Sequence, residues 1–301
     1  MSTRSTRSTR IGPALLWLGV VTLVPAATAV TAAAAAATAA AFPNPASAPA
    51  SDLRRSGFDF MTPALQAMQR DDAQNPALLW VEDGAALWNA AGASDTGPGT
   101  GPDPGTSPGN AGRACVACHG AAAVSMRGVA ARYPAFESRA GRPIDLRQRI
   151  NQCRVEHQQL PALAYESQPL LSLESYLAFQ SRGLPVVAPA ADARLRPAIV
   201  RGAALYRRPL GQLAFSCAQC HDANAGKRLG GSVIPQAHPT GYPLYRLEWQ
   251  GLGSLQRRLR NCMTGVRAEP FAYGAAELVE LELYLMQRAG GMALEAPAVR
   301  P

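Results

Sequence analysis

Cys115-Val116-Ala117-Cys118-His119 and Cys217-Ala218-Gln219-Cys220-His221 are two copies of one C-x-x-C-H motif, and their reading decides the fold. Two thiols three residues apart can add across the two vinyl groups of a haem, and the next residue places an imidazole beneath the iron. Covalent attachment holds the haem in a fold too small to retain it by burial alone. The same spacing occurs in redox C-x-x-C pairs and as half of a zinc site. A zinc site needs four protein ligands and gains nothing from two copies about a hundred residues apart. The motifs therefore read as attachments for two haem c groups, through Cys115 and Cys118 and through Cys217 and Cys220, with His119 and His221 as proximal iron ligands.

Working outward, each motif is the centre of a longer repeat. Gly84-Ala85-Ala86-Leu87-Trp88 precedes the first and Gly202-Ala203-Ala204-Leu205-Tyr206 the second. Tyr133-Pro134-Ala135-Phe136 and Tyr242-Pro243-Leu244-Tyr245 follow them. Next come Leu146-Arg147-Gln148-Arg149-Ile150-Asn151-Gln152-Cys153 and Leu255-Gln256-Arg257-Arg258-Leu259-Arg260-Asn261-Cys262, at the same ungapped offset of 109 residues. Leu173-Glu174-Ser175-Tyr176-Leu177 is answered by Leu281-Glu282-Leu283-Tyr284-Leu285.

The pattern predicts an all-α chain of two tandem cytochrome c-like domains related by internal duplication. The first haem domain is expected at 75–189 and the second, holding the active site, at 190–301. Asn75-Pro76 predicts a helix start, with proline in the first position and an end near Ala91. Its counterpart is expected from near Ala191. The arginine-rich segments before Cys153 and Cys262 read as helices, as do 170–182 and 275–289, where leucines and aromatics recur at three and four residues. No stretch alternates as a strand. Gly92 to Gly112, rich in Gly, Pro, Ser and Thr, reads as an exposed loop before the first motif.

The N-terminus carries Arg4, Arg7 and Arg10, then an uncharged apolar run from Ile11, then an Ala/Thr tract ending near Phe42. Basic, apolar and small-residue regions in that order are a secretory signal, expected over 1–42 with cleavage between 27 and 50 and a linker over 43–74. No adjacent arginine pair precedes the apolar run, so twin-arginine export is not indicated. The expected location is the periplasm, and no second segment is long and apolar enough for a span in the mature chain. The formal charge of +8 comes almost wholly from arginine, Lys227 being the sole lysine. It reads either as compositional bias or as a surface for anions, and it points to no nucleic acid.

A haem iron with a histidine on one face takes a second ligand on the other. Met126, Met263, His157 and His238 have no counterpart in the other repeat, whereas Cys153 and Cys262 align. They read as thiolate ligands of the first and second iron, with a Cys153–Cys262 disulfide as the alternative in an oxidising compartment. Arg149 and Arg258 each stand one helical turn before these cysteines. Arg147, Arg154, Arg257, Arg260 and Arg267 crowd the same segments, where they could pair with haem propionates or bind an anionic substrate.

From Leu65-Gln66-Ala67-Met68-Gln69 to the C-terminus the chain resembles the SoxA family, dihaem cytochrome subunits of the bacterial sulfur-oxidation complex. Asn75-Pro76-Ala77-Leu78-Leu79-Trp80, Gly241-Tyr242-Pro243-Leu244-Tyr245-Arg246 and Arg258-Leu259-Arg260-Asn261-Cys262 carry the resemblance most specifically. It implies an L-cysteine S-thiosulfotransferase that joins thiosulfate oxidatively to a cysteine of a SoxYZ-like carrier. The electrons leave through haem, and a small SoxX-like monohaem cytochrome c is the partner. It also implies that Cys262 is the cysteine persulfide intermediate and second-haem ligand, that Arg258 binds thiosulfate, and that Cys153 ligates the first haem. The competing readings are a dihaem electron carrier, which needs no aligned cysteine, and a dihaem peroxidase, which needs an open iron.

Overall fold

The computed structural model describes residues 53–92 and 112–301, so the export segment and almost all of the 92–112 stretch lie outside the described residues. In chain order the first part holds α1 (Pro63–Arg70), α2 (Leu78–Asn89), the motif helix α3 (Cys115–His119) and α4 (Ala122–Ser125). The hairpin of β1 (Ala135–Glu137) and β2 (Arg142–Ile144) follows, then α5 (Leu146–His157) and α6 (Gln168–Phe179). The second part runs α7 (Arg196–Arg207), the motif helix α8 (Cys217–His221), and the short strands β3 (Arg228–Leu229) and β4 (Ser232–Val233). It continues through β5 (Leu244–Arg246), β6 (Gly251–Gly253), α9 (Leu255–Gly265), α10 (Ala276–Arg288) and β7 (Ala298–Arg300). None of these helices is long and apolar enough to cross a membrane.

The fold is mostly helical, and the expectation of an all-α chain is corrected by seven short strands among the described residues. With two or three residues each, they are too short to show a period of two in the sequence. β1 pairs antiparallel with β2 (Ala135 opposite Ile144), and β5 pairs antiparallel with β6 (Leu244 opposite Gly253). β7 adds parallel to β5, with Tyr245 opposite Val299.

Two glycines position the long helices. At Gly84, in α2, a Cβ would run into the Ser172 carbonyl of α6; at Gly202, in α7, it would run into the Glu280 carbonyl of α10. Each Gly-Ala-Ala-Leu-aromatic stretch therefore marks a close crossing of backbones. The helices bearing the aligned cysteines start from side-chain caps. Asp145 accepts from the Gln148 amide at 2.7 Å before α5, and Ser254 accepts from the Arg257 amide at 3.2 Å before α9.

Two helix starts differ from expectation. The Asn75 side chain accepts from the Ala77 amide at 3.0 Å, and this turn delays α2 to Leu78. Short 3-10 turns at Pro189–Ala191 and Ala193–Leu195 occupy the residues after Pro189, so α7 begins at Arg196 rather than near Ala191.

One apolar cluster gathers Trp88, Leu146, Ile150, Leu170, Leu173 and Leu177; another gathers Tyr206, Leu255, Met263, Leu278, Leu281 and Leu285. A third, with Ala178, Val186, Met286, Ala289 and Leu294, joins the segments that follow α6 and α10. Those segments also exchange backbone bonds, Gly183 N–H to Leu294 O at 2.7 Å and Gly291 N–H to Val186 O at 2.8 Å. Residues 53–74, expected as linker, contain α1, and Asn75 donates to Pro297 O at 3.2 Å. All the described residues belong to one compact unit spanning 52–301.

Candidate functional site

The second motif sits on α8, a helix of barely more than one turn held by Ser216. Its hydroxyl accepts from the Gln219 amide at 3.2 Å, and its own amide donates to the Gln219 side chain at 2.7 Å. Three residues apart on this helix, Cys217 and Cys220 share a face. His221 Nδ1 bonds Pro235 O at 2.7 Å. A carbonyl can only accept, so Nδ1 carries the proton and Nε2 is left as the ligating nitrogen.

His221 and Cys262 line one cavity of about 150 Å³, whose apolar walls include Leu255, Leu259, Leu285 and Met61. Tyr242, Arg246 and Arg258 supply its polar wall. Burial pushes the Cys262 thiol up, but His221, Arg258 and Arg246 more than offset this and hold it below the usual thiol value. Burial would lower the Arg258 guanidinium, yet Cys262 and Tyr242 raise it. Arg246 is lowered, first by burial and then by Arg258.

The first motif stands on α3 with a more open environment: Cys118 and His119 are exposed and Cys115 is half-buried. Trp88 lies beside it, its ring 5.6 Å from that of His119 and its indole N–H donating to Gly120 O at 3.1 Å. Cys153 falls on this side, close enough to Cys118 that burial and that thiol together raise it. Each aligned cysteine thus faces the motif of its own segment, and none of the six cysteines is in a disulfide. The Cys153–Cys262 pairing is absent.

The two arginines one turn before these cysteines differ. Arg149 donates its Nε–H to the Tyr133 hydroxyl at 3.2 Å. The Arg258 guanidinium, near the equivalent Tyr242, makes no hydrogen bond or ion pair among the described residues. The crowd of neighbouring arginines is largely structural. Arg147 is buried in an ion cluster, Arg154 bonds Pro161 O, Arg257 lies over Trp249, and Arg260 reaches Phe271 O and stacks on Tyr273.

These features fit haem c. Paired thiols on one helical face, an imidazole with its tautomer fixed and a facing sulfur beside an apolar cavity form the donor set such a group requires. Among the described residues no group of three or more His, Cys, Asp or Glu side chains is placed to hold a bare metal ion, so the zinc reading finds no second half.

A family profile described as SoxA/TsdA, cytochrome c domain, matches residues 105–186 and 201–294. An L-cysteine S-thiosulfotransferase subunit SoxA from Pseudaminobacter salicylatoxidans is 35% identical over 81% of this chain and 80% of its own. One from Rhodovulum sulfidophilum is 34% identical over 86% of this chain and 84% of its own. The chain belongs to the SoxA family. Its fold superposes on the crystal structure of SoxXA from P. pantotrophus with a TM-score of 0.72, at 30% identity, covering 82% of this chain and 87% of that one. The cytochrome c domain of SoxA implies haem c, as the motifs do.

Two features of this SoxA site were missed in the sequence. Arg246 was quoted within a motif but given no role, although it is buried, with its Nε lacking a partner. The Pro235 carbonyl that orients His221 stands in a loop with no motif, and only the folded chain brings it there.

Proposed function

We propose that the chain acts as an L-cysteine S-thiosulfotransferase subunit SoxA, in the periplasm, beside a SoxX-like monohaem cytochrome c and a SoxYZ-like carrier. The relatives' shared activity supports this, as does the SoxXA assembly of the P. pantotrophus structure. The chain carries two haem c groups, held by Cys115 and Cys118 and by Cys217 and Cys220. His119 and Cys153 would hold the first iron, and His221 and Cys262 the second. The paired glycine crossings, paired caps and paired motifs support an origin by internal duplication.

The reaction joins the outer sulfur of thiosulfate to a carrier thiol. One S–S bond forms, the thiol proton is released, and two electrons are removed. Haem, when bound, supplies the path by which those electrons leave. Cys262, whose sulfur can hold an extra sulfur as a persulfide, takes up the outer sulfur of thiosulfate in one S–S bond as the two electrons leave. The carrier thiol then takes over the intact thiosulfate group by exchange, releasing the Cys262 sulfur. Arg258 holds the anionic sulfonate end by charge-assisted hydrogen bonds.

The observation that carries this reading is the Arg258 guanidinium, beside Cys262 and with no hydrogen-bond or ion-pair partner among the described residues, where Arg149 of the first segment is tied to Tyr133. An isolated electron carrier needs no such free cation, and two protein ligands per iron leave no open position for a peroxidase. Incubation of the purified protein with thiosulfate, an electron acceptor and a carrier peptide ending in cysteine tests the function. The expected product is the thiosulfonate conjugate, and electron transfer without it would overturn the reading.

Two further results are expected. Intact mass of the exported protein shows two covalent haems and loss of the leader segment; one haem or none sinks the dihaem reading. Arg258→Ala raises the thiosulfate concentration needed for half-maximal rate, weakening anion capture by about 1.5–3 kcal/mol for one charge-assisted hydrogen bond. Steady-state kinetics checks this.

A further inference from the structure

A second, smaller cavity of about 60 Å³ lies between the segments that serve the two motifs. Tyr133 and Pro134 wall it from the first segment, Tyr242 and Pro243 from the second. Tyr242 and Leu255 are shared with the cavity beside Cys262, while Tyr133 is the residue that Arg149 binds. The volume accommodates a few waters.

Its polar wall is one guanidinium facing three carboxylates. Arg147, on α5, is 2% exposed. Its Nη2 donates to Glu282 Oε1 of α10 at 2.7 Å and to Asp145 Oδ2 at 3.0 Å, and its Nη1 lies 3.8 Å from Glu174 Oε1 of α6. Gln256, at the start of α9, donates to Asp145 Oδ2 at 2.9 Å, and the Tyr165 hydroxyl donates to the same oxygen at 3.3 Å. Glu166 acts on Glu174 from the loop before α6. Two buried atoms have no partner among the described residues, Arg147 Nε and Glu174 Oε2, and both side chains line the cavity.

If all three carboxylates were ionised, two negative charges would stand uncompensated in an interior shut off from bulk water, a state burial strongly disfavours. The cluster must therefore hold protons at neutral pH. We propose that it is a redox-linked proton site, binding a proton from solvent when an electron arrives at a haem site and releasing it when the electron leaves. The electron is one of the two removed from the sulfur pair. On arrival it adds negative charge nearby, and a glutamate O–H bond forms; on departure that bond breaks. Burial raises Glu174 to about 8, with Asp145, Glu282 and Glu166 adding to the rise against Arg147. Burial likewise raises Glu282 to about 7. Both values fall where a change in field shifts the proton occupancy most.

The inference rests on the haem-binding reading of both motifs. Its test is spectroelectrochemical titration of the full haem-loaded chain across pH 6–9, in the native protein and in Glu174→Gln and Glu282→Gln. The native potentials are expected to fall as pH rises through this range, and each variant to lose part or all of that slope. Glu174→Gln leaves the 2.7 Å Arg147–Glu282 pair in place, so it is read even if Glu282→Gln folds poorly. In the native chain the protonated-carboxyl stretch should change in the redox-difference infrared spectrum. Flat native potentials, or a slope untouched by Glu174→Gln, overturn the proposal, since a cluster that only clamps the helices would behave so. Loss of thiosulfate conjugation alongside pH-dependent potentials would instead overturn the proposed function and leave this site standing.

Discussion

Cys262→Ser retains both haem groups and loses thiosulfate conjugation, while Cys153→Ser still turns over. On the proposed attachment through Cys115, Cys118, Cys217 and Cys220, neither substitution removes a haem. Serine at 262 keeps the size of the side chain but cannot carry a persulfide. Loss of a covalent nucleophile lowers turnover by roughly three orders of magnitude or more. The asymmetry follows from what surrounds the two sulfurs. Cys262 shares its cavity with Arg246 and with an Arg258 guanidinium that has no hydrogen-bond or ion-pair partner among the described residues. Cys153 lies near an Arg149 already bound to Tyr133, where an incoming anion would have to displace an existing hydrogen bond. Conjugation of thiosulfate to a cysteine-ended peptide, followed by mass spectrometry, reads both variants. Extra sulfur on the wild-type peptide containing Cys262 is the expected companion result. A dead Cys153→Ser beside an active Cys262→Ser would move the active site to the first segment.

Much of this arrangement was legible because its signals are local. The C-x-x-C-H spacing needs only one short helix. The 109-residue offset placed Cys153 and Cys262 in equivalent helices before any fold was known. What escaped was non-local. The arginines crowding α5 and α9 look alike in sequence as anion or propionate partners, yet their fates diverge with the tertiary surroundings. Arg147 is closed off by Glu282, which lies 135 residues away, while the Arg258 guanidinium is bonded to none of the described residues. The offset did hold a clue. Gln256 occupies the position equivalent to Arg147, so the repeat departs from symmetry at the cluster that this one guanidinium serves.

That single guanidinium sets the largest stability effect expected in the molecule. Arg147→Met removes the only cation bonded to this cluster among the described residues and leaves Asp145, Glu174 and Glu282 facing one another in the interior. Breaking a buried ion pair from one side costs about 3–5 kcal/mol, because the remaining charges are neither solvated nor paired. The loss depends on pH with a defined sign. Both glutamates sit above their ordinary values in the folded chain, so between those values and about 7–8 the folded state binds more protons than the unfolded state. Stability is therefore full at low pH and falls as pH rises through that window. Without Arg147 the glutamates are pushed further up, so the variant loses stability more steeply and is closer to the native protein at pH 5 than at pH 8. Adding Glu174→Gln and Glu282→Gln to Arg147→Met restores much of the stability, because neutral amides need no counter-charge. Denaturant midpoints at the two pH values, with unchanged haem content as the control, read all three chains. An equal loss at both pH values would show that the cation does not neutralise this cluster, and no recovery in the triple variant would show that packing, not charge, had been lost.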